Sequence, residues 1–193
     1  MNVFIGGTPT SGKSFLALQF AHNSKLDIGV LNIDDFREVF AEDDKLKKWV
    51  EIYDKKDEKE FWKTVSYREE AKILIKQSEA FFPKILELFK AAISQHDHVI
   101  IEGVSILPHL AKKHFDFPGF FLINDHYALI LQRLKEHPRW GKTEELQRLE
   151  AKCFVKLDVR LIKEEAEKYG YKVFNNPDDA EKELGNIFRK VEE

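Results

Sequence analysis

The chain has little cysteine, methionine, proline or glycine: one, one, six and nine residues among 193. A lone Cys153 cannot close an internal disulfide, and no Cys/His spacing resembles a structural zinc site, so a reducing, cytoplasmic setting is expected. Charge of one sign is lacking too. Lysine and arginine total 31 against 34 acidic residues, a formal net charge of -3. Proteins that track a nucleic-acid backbone carry a basic excess, so a long nucleic acid is not the expected partner. The first apolar stretch ends after residues 3–5, and no run approaches the ~20 apolar residues that cross a bilayer. Neither a signal peptide nor a membrane anchor is expected. There is no repeat, low-complexity tract or Pro/Gly/Ser linker. With 43% hydrophobic residues and 16 Phe, the chain can bury a full core as one domain over residues 1–193.

What is present is an alternation of short apolar runs with longer mixed segments. The runs at 3–5, 28–33, 99–101 and 120–123, with a weaker one at 171–174, are β-branched or aromatic and continuous. Continuous runs of that length read as parallel strands covered on both faces. Segments 13–21, 127–134, 144–169 and 178–191 carry helical spacing, and 13–21 is apolar around most of its circumference, as for a helix enclosed on all sides. Strand-helix alternation of this kind predicts a doubly wound α/β domain with right-handed crossovers. About sixty residues separate the second strand from the third, more than one crossover helix needs. The expected layout is therefore a core of 1–35 and 96–193 with a helical insertion over about 36–95. Trp49, Tyr53, Phe61 and Trp62 in that insertion are expected to pack it onto the body.

Gly7-Thr8-Pro9-Thr10-Ser11-Gly12-Lys13-Ser14 reads G-x-x-x-x-G-K-S between the first strand and first helix, with Phe15 continuing the helix. The glycines let the backbone curl with its N–H groups inward around a β-phosphate, and the helix N-terminus adds positive charge. Lys13 would bridge the β- and γ-phosphates of ATP while the Ser14 hydroxyl ligates Mg2+.

Asn32-Ile33-Asp34-Asp35-Phe36-Arg37 closes the second strand, and ligands of open parallel sheets bind beyond the carboxyl ends of strands. One aspartate would take or align the proton of an attacking hydroxyl, with Asp35 ahead of Asp34, and the other would cap the following helix. Arg37 would hold an anionic group of the acceptor. Glu102 ends the third strand and would hold a metal-bound water or orient the acceptor. Arg133, near a helix end, and Arg139, in the turn 138–141 that follows, stand where a mobile lid would start; arginines there stabilise a transferring phosphoryl group. Residues 175–178 would either cup the adenine or simply form a turn and helix cap. None of the seven histidines has a nucleophile partner.

The order of these elements resembles the P-loop kinases of the nucleoside and nucleotide kinase superfamily. Ile33 to Arg37 together with Ile101-Glu102-Gly103-Val104-Ser105-Ile106-Leu107-Pro108 looks most like kinases grouped with 2-phosphoglycerate kinase, and Asp-Asp-x-Arg also resembles polynucleotide 5′-kinases. The resemblance implies a P-loop three-layer sandwich: a five-stranded parallel sheet in the order 2-3-1-4-5, an acceptor-binding helical region and a lid. The residues and the resemblance together predict an ATP-dependent phosphotransferase that moves the γ-phosphate to a hydroxyl or phosphate of a small molecule. A nucleotide-dependent switch and a 5′-hydroxyl kinase are the alternatives; no Asn-Lys-x-Asp segment for reading guanine occurs.

Overall fold

A computed structural model describes residues 1–53, 57–138 and 141–192. Its five strands, β1 (Asn2–Gly7), β2 (Ile28–Asn32), β3 (His98–Glu102), β4 (Gly119–Leu122) and β5 (Val173–Phe174), form one parallel sheet in the order 2-3-1-4-5. The registers place Phe4 opposite Ile101 on one side and Gly119 on the other, and Ile5 opposite Glu102. Successive side chains feed opposite cores, as the period of a strand requires. Phe4, Val99, Ile101 and Phe121 enter one core; Val3, Ile5, Ile100, Phe120 and Leu122 enter the other. Phe4 meets Phe115, Phe121 and Tyr171 at ring-centroid distances of 5.5, 5.7 and 5.3 Å.

After β1 comes α1 (Lys13–Asn23), which buries Leu16 and Ala17 against the sheet. It is not enclosed on all sides: Phe15 and Leu18 are 71% and 59% exposed. β2 leads into a 3-10 turn (Ile33–Phe36) and then α2 (Arg37–Ala41), α3 (Asp44–Val50), α4 (Glu58–Thr64) and the long α5 (Tyr67–Ile93). A capping box starts α5, in which the Ser66 hydroxyl accepts from the Glu69 amide at 3.3 Å and the Ser66 amide donates to the Glu69 carboxylate at 3.1 Å. The C-terminal half of α5 packs Phe81, Phe82, Ile85 and Phe89 into the same core as Val99 and Ile101, so it is itself the crossover between β2 and β3. The chain then forms α6 (Pro108–His114), α7 (Tyr127–Glu136), α8 (Glu144–Cys153), α9 (Val159–Tyr169) and α10 (Pro177–Glu192).

Residues 144–169, expected as one helix, are interrupted by a π-helical turn, Phe154–Asp158, between α8 and α9. Among the described residues, no helix is long and apolar enough to cross a membrane.

Candidate active site

β1 delivers the chain to a loop built on left-handed backbone. Gly7 has φ 138° and Gly12 φ 98°, and Thr10, at φ 57°, is the one described non-glycine residue with positive φ. At Gly7 a side chain has no room, since a Cβ would fall 1.9 Å from the Leu122 carbonyl oxygen. The curl brings Lys13, only 5% exposed, back across the loop, where its ammonium donates to the Thr8 carbonyl at 2.9 Å. Gly12 occupies the N-cap of α1, which has no side-chain cap and no acidic residue in its first turn. The helix dipole and first-turn N–H groups are therefore left to a ligand, and an anion satisfies both. The buried Thr10 and Ser11 hydroxyls also lack hydrogen-bond partners.

Two residues brace the loop from the β4 side. Asn124 donates its backbone N–H to the Thr8 hydroxyl at 3.1 Å and its side-chain amide to the Thr10 carbonyl at 3.4 Å. Arg133, on α7, donates to the same carbonyl, and its guanidinium lies beside Gly12. Asn124 escaped the sequence reading; its signal is a polar residue just past the carboxyl end of a central strand. Phe15 faces solvent and does not line the cleft described below, and Arg139 lies outside the described residues.

Glu102 is fully buried. Burial pushes its carboxyl up to about 7, with Asp34 and Asp35 adding to the rise while Lys13 and the Ser14 hydroxyl oppose it. Although Ser14 faces the carboxyl, neither Glu102 oxygen is closed by a hydrogen bond of ordinary geometry. A buried carboxylate with unsatisfied oxygens beside a serine hydroxyl and an anion-binding loop fits Mg2+, which takes one or two protein oxygens together with phosphate and water. A cluster of three or more His, Cys, Asp or Glu ligands is absent among the described residues.

The two aspartates after β2 both lie in the 3-10 turn and face different ways. Asp34 is half-buried, accepts from the Val104 amide at 3.2 Å and faces a cleft that the loop residues Gly7, Thr8 and Pro9 also line. Asp35 is exposed and does not line it. Neither aspartate caps a helix, contrary to the sequence expectation. Asn32 caps the 3-10 turn, accepting from the Asp34 amide at 3.0 Å, and Phe36 stands at the N-cap of α2 without a side-chain bond.

The cleft encloses about 1000 Å3, counting its open mouth. Phe40, Tyr53, Trp62, Phe81 and Phe154 give it aromatic walls, so Tyr53 and Trp62 border the cleft as well as packing the insertion. The Tyr53 hydroxyl donates to Glu70 at 2.9 Å. Burial holds that phenol well above its ordinary range, reinforced by the negative charge of Glu70 and Asp158. Arg37 lines the wall and donates to the Val50 carbonyl, while the Gln77 amide donates to the Trp49 carbonyl at 2.6 Å. Beyond β5, Asn176 accepts from the Asp178 amide at 2.9 Å and Asn175 donates to Asp125 at 2.5 Å, so these residues form a turn and cap.

No protein-family model matches the chain, and no curated protein does. Among solved structures, a deoxyadenosine kinase from M. mycoides, with bound dATP, superposes with a TM-score of 0.50 at 14% identity, covering 98% of this chain and 100% of that one. A shikimate kinase from Acinetobacter baumannii, in complex with shikimate, gives 0.48 at 17% identity over 98% and 93% of the two chains. A thymidylate kinase from Candida albicans gives 0.45 at 17%, over 99% and 92%. At 14% identity the likeness to the deoxyadenosine kinase is one of fold: the chain has the fold of a P-loop kinase.

Proposed function

We propose that the protein is an ATP-dependent phosphotransferase that moves the γ-phosphoryl group onto a hydroxyl of a small molecule. One observation carries this reading. The anion-binding loop and Asp34 line the same cleft, walled by aromatic side chains. A nucleotide switch has no use for such a cleft beside its phosphates.

The α1 N-terminus and the loop N–H groups would hold the β- and γ-phosphates. Lys13 would leave the Thr8 carbonyl to follow the charge that builds on the leaving oxygen. Ser14 and Glu102 would hold Mg2+, which supplies charge neutralisation between the two phosphates. Asp34 accepts the proton of the attacking hydroxyl; the new O–P bond forms as the Pγ–O bond to ADP breaks, and ADP leaves with the pair. Arg133 would keep the loop in shape through the Thr10 carbonyl. Arg37 would orient the acceptor from the wall, and Arg139 is assigned to the transferring group on the sequence pattern alone. The whole chain would act as one domain, with α2–α4 and the start of α5 contributing the acceptor side.

The test is ADP release by the purified protein with ATP and Mg2+, with and without a panel of hydroxyl compounds. Acceptor-stimulated turnover that yields a phosphorylated product supports the reading. ATP binding with a rate that no acceptor changes would replace it by the regulatory ATPase.

A further inference from the structure

Two side chains from opposite ends of α7 meet on one backbone oxygen. Asn124 stands just before the helix and Arg133 in its last turn, and both donate to the Thr10 carbonyl, the Asn124 amide at 3.4 Å. A carbonyl oxygen has two lone pairs, and here each has a donor. The Asn124 amide has its direction fixed, because its own oxygen accepts the His126 N–H at 3.0 Å and leaves the NH2 group for Thr10. The Asn124 backbone N–H adds a third tie, to the Thr8 hydroxyl, and the Thr8 N–H donates in turn to the Leu122 carbonyl at 3.2 Å. α7 buries Ile130, Leu131 and Leu134, so both donors project from a packed element.

Thr10 is a residue that needs holding. Its φ of 57° is left-handed, which a β-branched side chain adopts only at a cost. Its side chain does not repay that cost, since the buried hydroxyl has no hydrogen-bond partner. Leaving the left-handed region would re-aim the peptide between Thr10 and Ser11. A planar trans peptide points its C=O and N–H in opposite directions, so a carbonyl fastened to α7 turns the Ser11 N–H the other way. Anions bind where successive N–H groups converge, and a rotated peptide would bring an oxygen round towards them.

We infer that Asn124 and Arg133 are positioning residues that keep Thr10 left-handed, so that the loop has its anion-binding shape before nucleotide arrives. This deepens the reading of the loop as the phosphate site and rests on it. Neither residue needs to touch the transferred group for its loss to weaken phosphate binding.

The test is a double-mutant cycle read by titration calorimetry with inorganic pyrophosphate and with ATP, using the parent, Asn124→Ala, Thr10→Gly and the double variant. Glycine adopts the left-handed region without the steric cost, so it has less need of the donors. Asn124→Ala should weaken both ligands about tenfold in the parent background and less than about threefold in the Thr10→Gly background. If Asn124 served only to start α7 through His126 or to brace Thr8, its removal would cost the same in both. Arg133→Ala, which leaves the start of α7 intact, runs the same cycle with the same expected coupling, and circular dichroism confirms folding of every variant. Equal losses in the two backgrounds would overturn the assignment of the residue tested. Unchanged affinity on removing both donors, or a parent protein that does not bind pyrophosphate, would overturn the inference as a whole. Failure of the kinase reading looks different: a coupled cycle in a protein whose ATP turnover no acceptor stimulates removes that reading and keeps this one, and an additive cycle in an active kinase does the reverse.

Discussion

The ammonium of Lys13 and the carbonyl of Thr8 lie 2.9 Å apart, so the cation of the loop is held against the loop's own backbone. A buried cation needs such a partner, and triphosphate oxygens are a stronger one. Lys13→Ala removes charge that matters most in the transition state. Turnover should fall roughly 100- to 1,000-fold, the scale of losing one preorganised electrostatic donor. Steady-state ADP release against nucleotide concentration reads it; an unchanged kcat would remove Lys13 from the chemistry.

Asp34 and Asp35 are adjacent in sequence and differ in what they face. Asp34→Asn should spare nucleotide binding and lower transfer by roughly 100- to 10,000-fold, the usual worth of a general base. Asp35→Asn, a change at an exposed position, should alter the rate by less than about threefold, in keeping with the small effects of surface substitutions. Comparing kcat for both variants with one acceptor decides between them, and the opposite ranking would return the base to Asp35.

That choice shows where sequence stops. The strands were legible because runs such as 99–101 must be apolar on both faces, and the loop was legible because its glycines and lysine sit at fixed spacing before a helix. The sheet order came from resemblance, not from periodicity. Which aspartate turns inward depends on a single 3-10 turn, and no pattern in Asp34-Asp35-Phe36-Arg37 specifies it. The π turn at Phe154–Asp158 hides inside a segment whose helical spacing reads as continuous. α6 is only seven residues long, and its one signal is Pro108 in the first turn. Phe15 and Leu18 misled in the other direction, since apolar residues all round a helix suggested an enclosure that the fold does not provide.

Glu102 offers a test of the metal assignment that does not need an acceptor. Glu102→Gln keeps the shape and removes the charge. The Mg2+ dependence of nucleotide affinity should shrink at least tenfold, while affinity measured in EDTA changes little, because the loop and helix N-terminus are untouched. Calorimetric titration of ATP with and without Mg2+ gives both numbers. Equal loss under the two conditions would mean that Glu102 supports the loop and does not serve the ion.

Cys153 lies on the outer side of the cleft wall, where its thiol donates to the Trp62 carbonyl at 3.4 Å. Burial pushes the thiol up to about 12, with Glu70 and Asp158 adding to the rise. The thiolate is the reactive form, so at pH 8 a disulfide reagent should modify the folded protein at least 100-fold more slowly than the protein in urea. The sign for stability follows from the same displacement. An unfolded chain releases the thiol proton near pH 9, the folded chain only near 12, so the unfolded state binds fewer protons across that interval and stability falls as pH rises through it. Urea midpoints at pH 8 and pH 10 should therefore draw closer together in Cys153→Ala than in the parent protein. Fast labelling of the folded protein at pH 8 would show the thiol open to solvent, and with it the wall formed by Trp62.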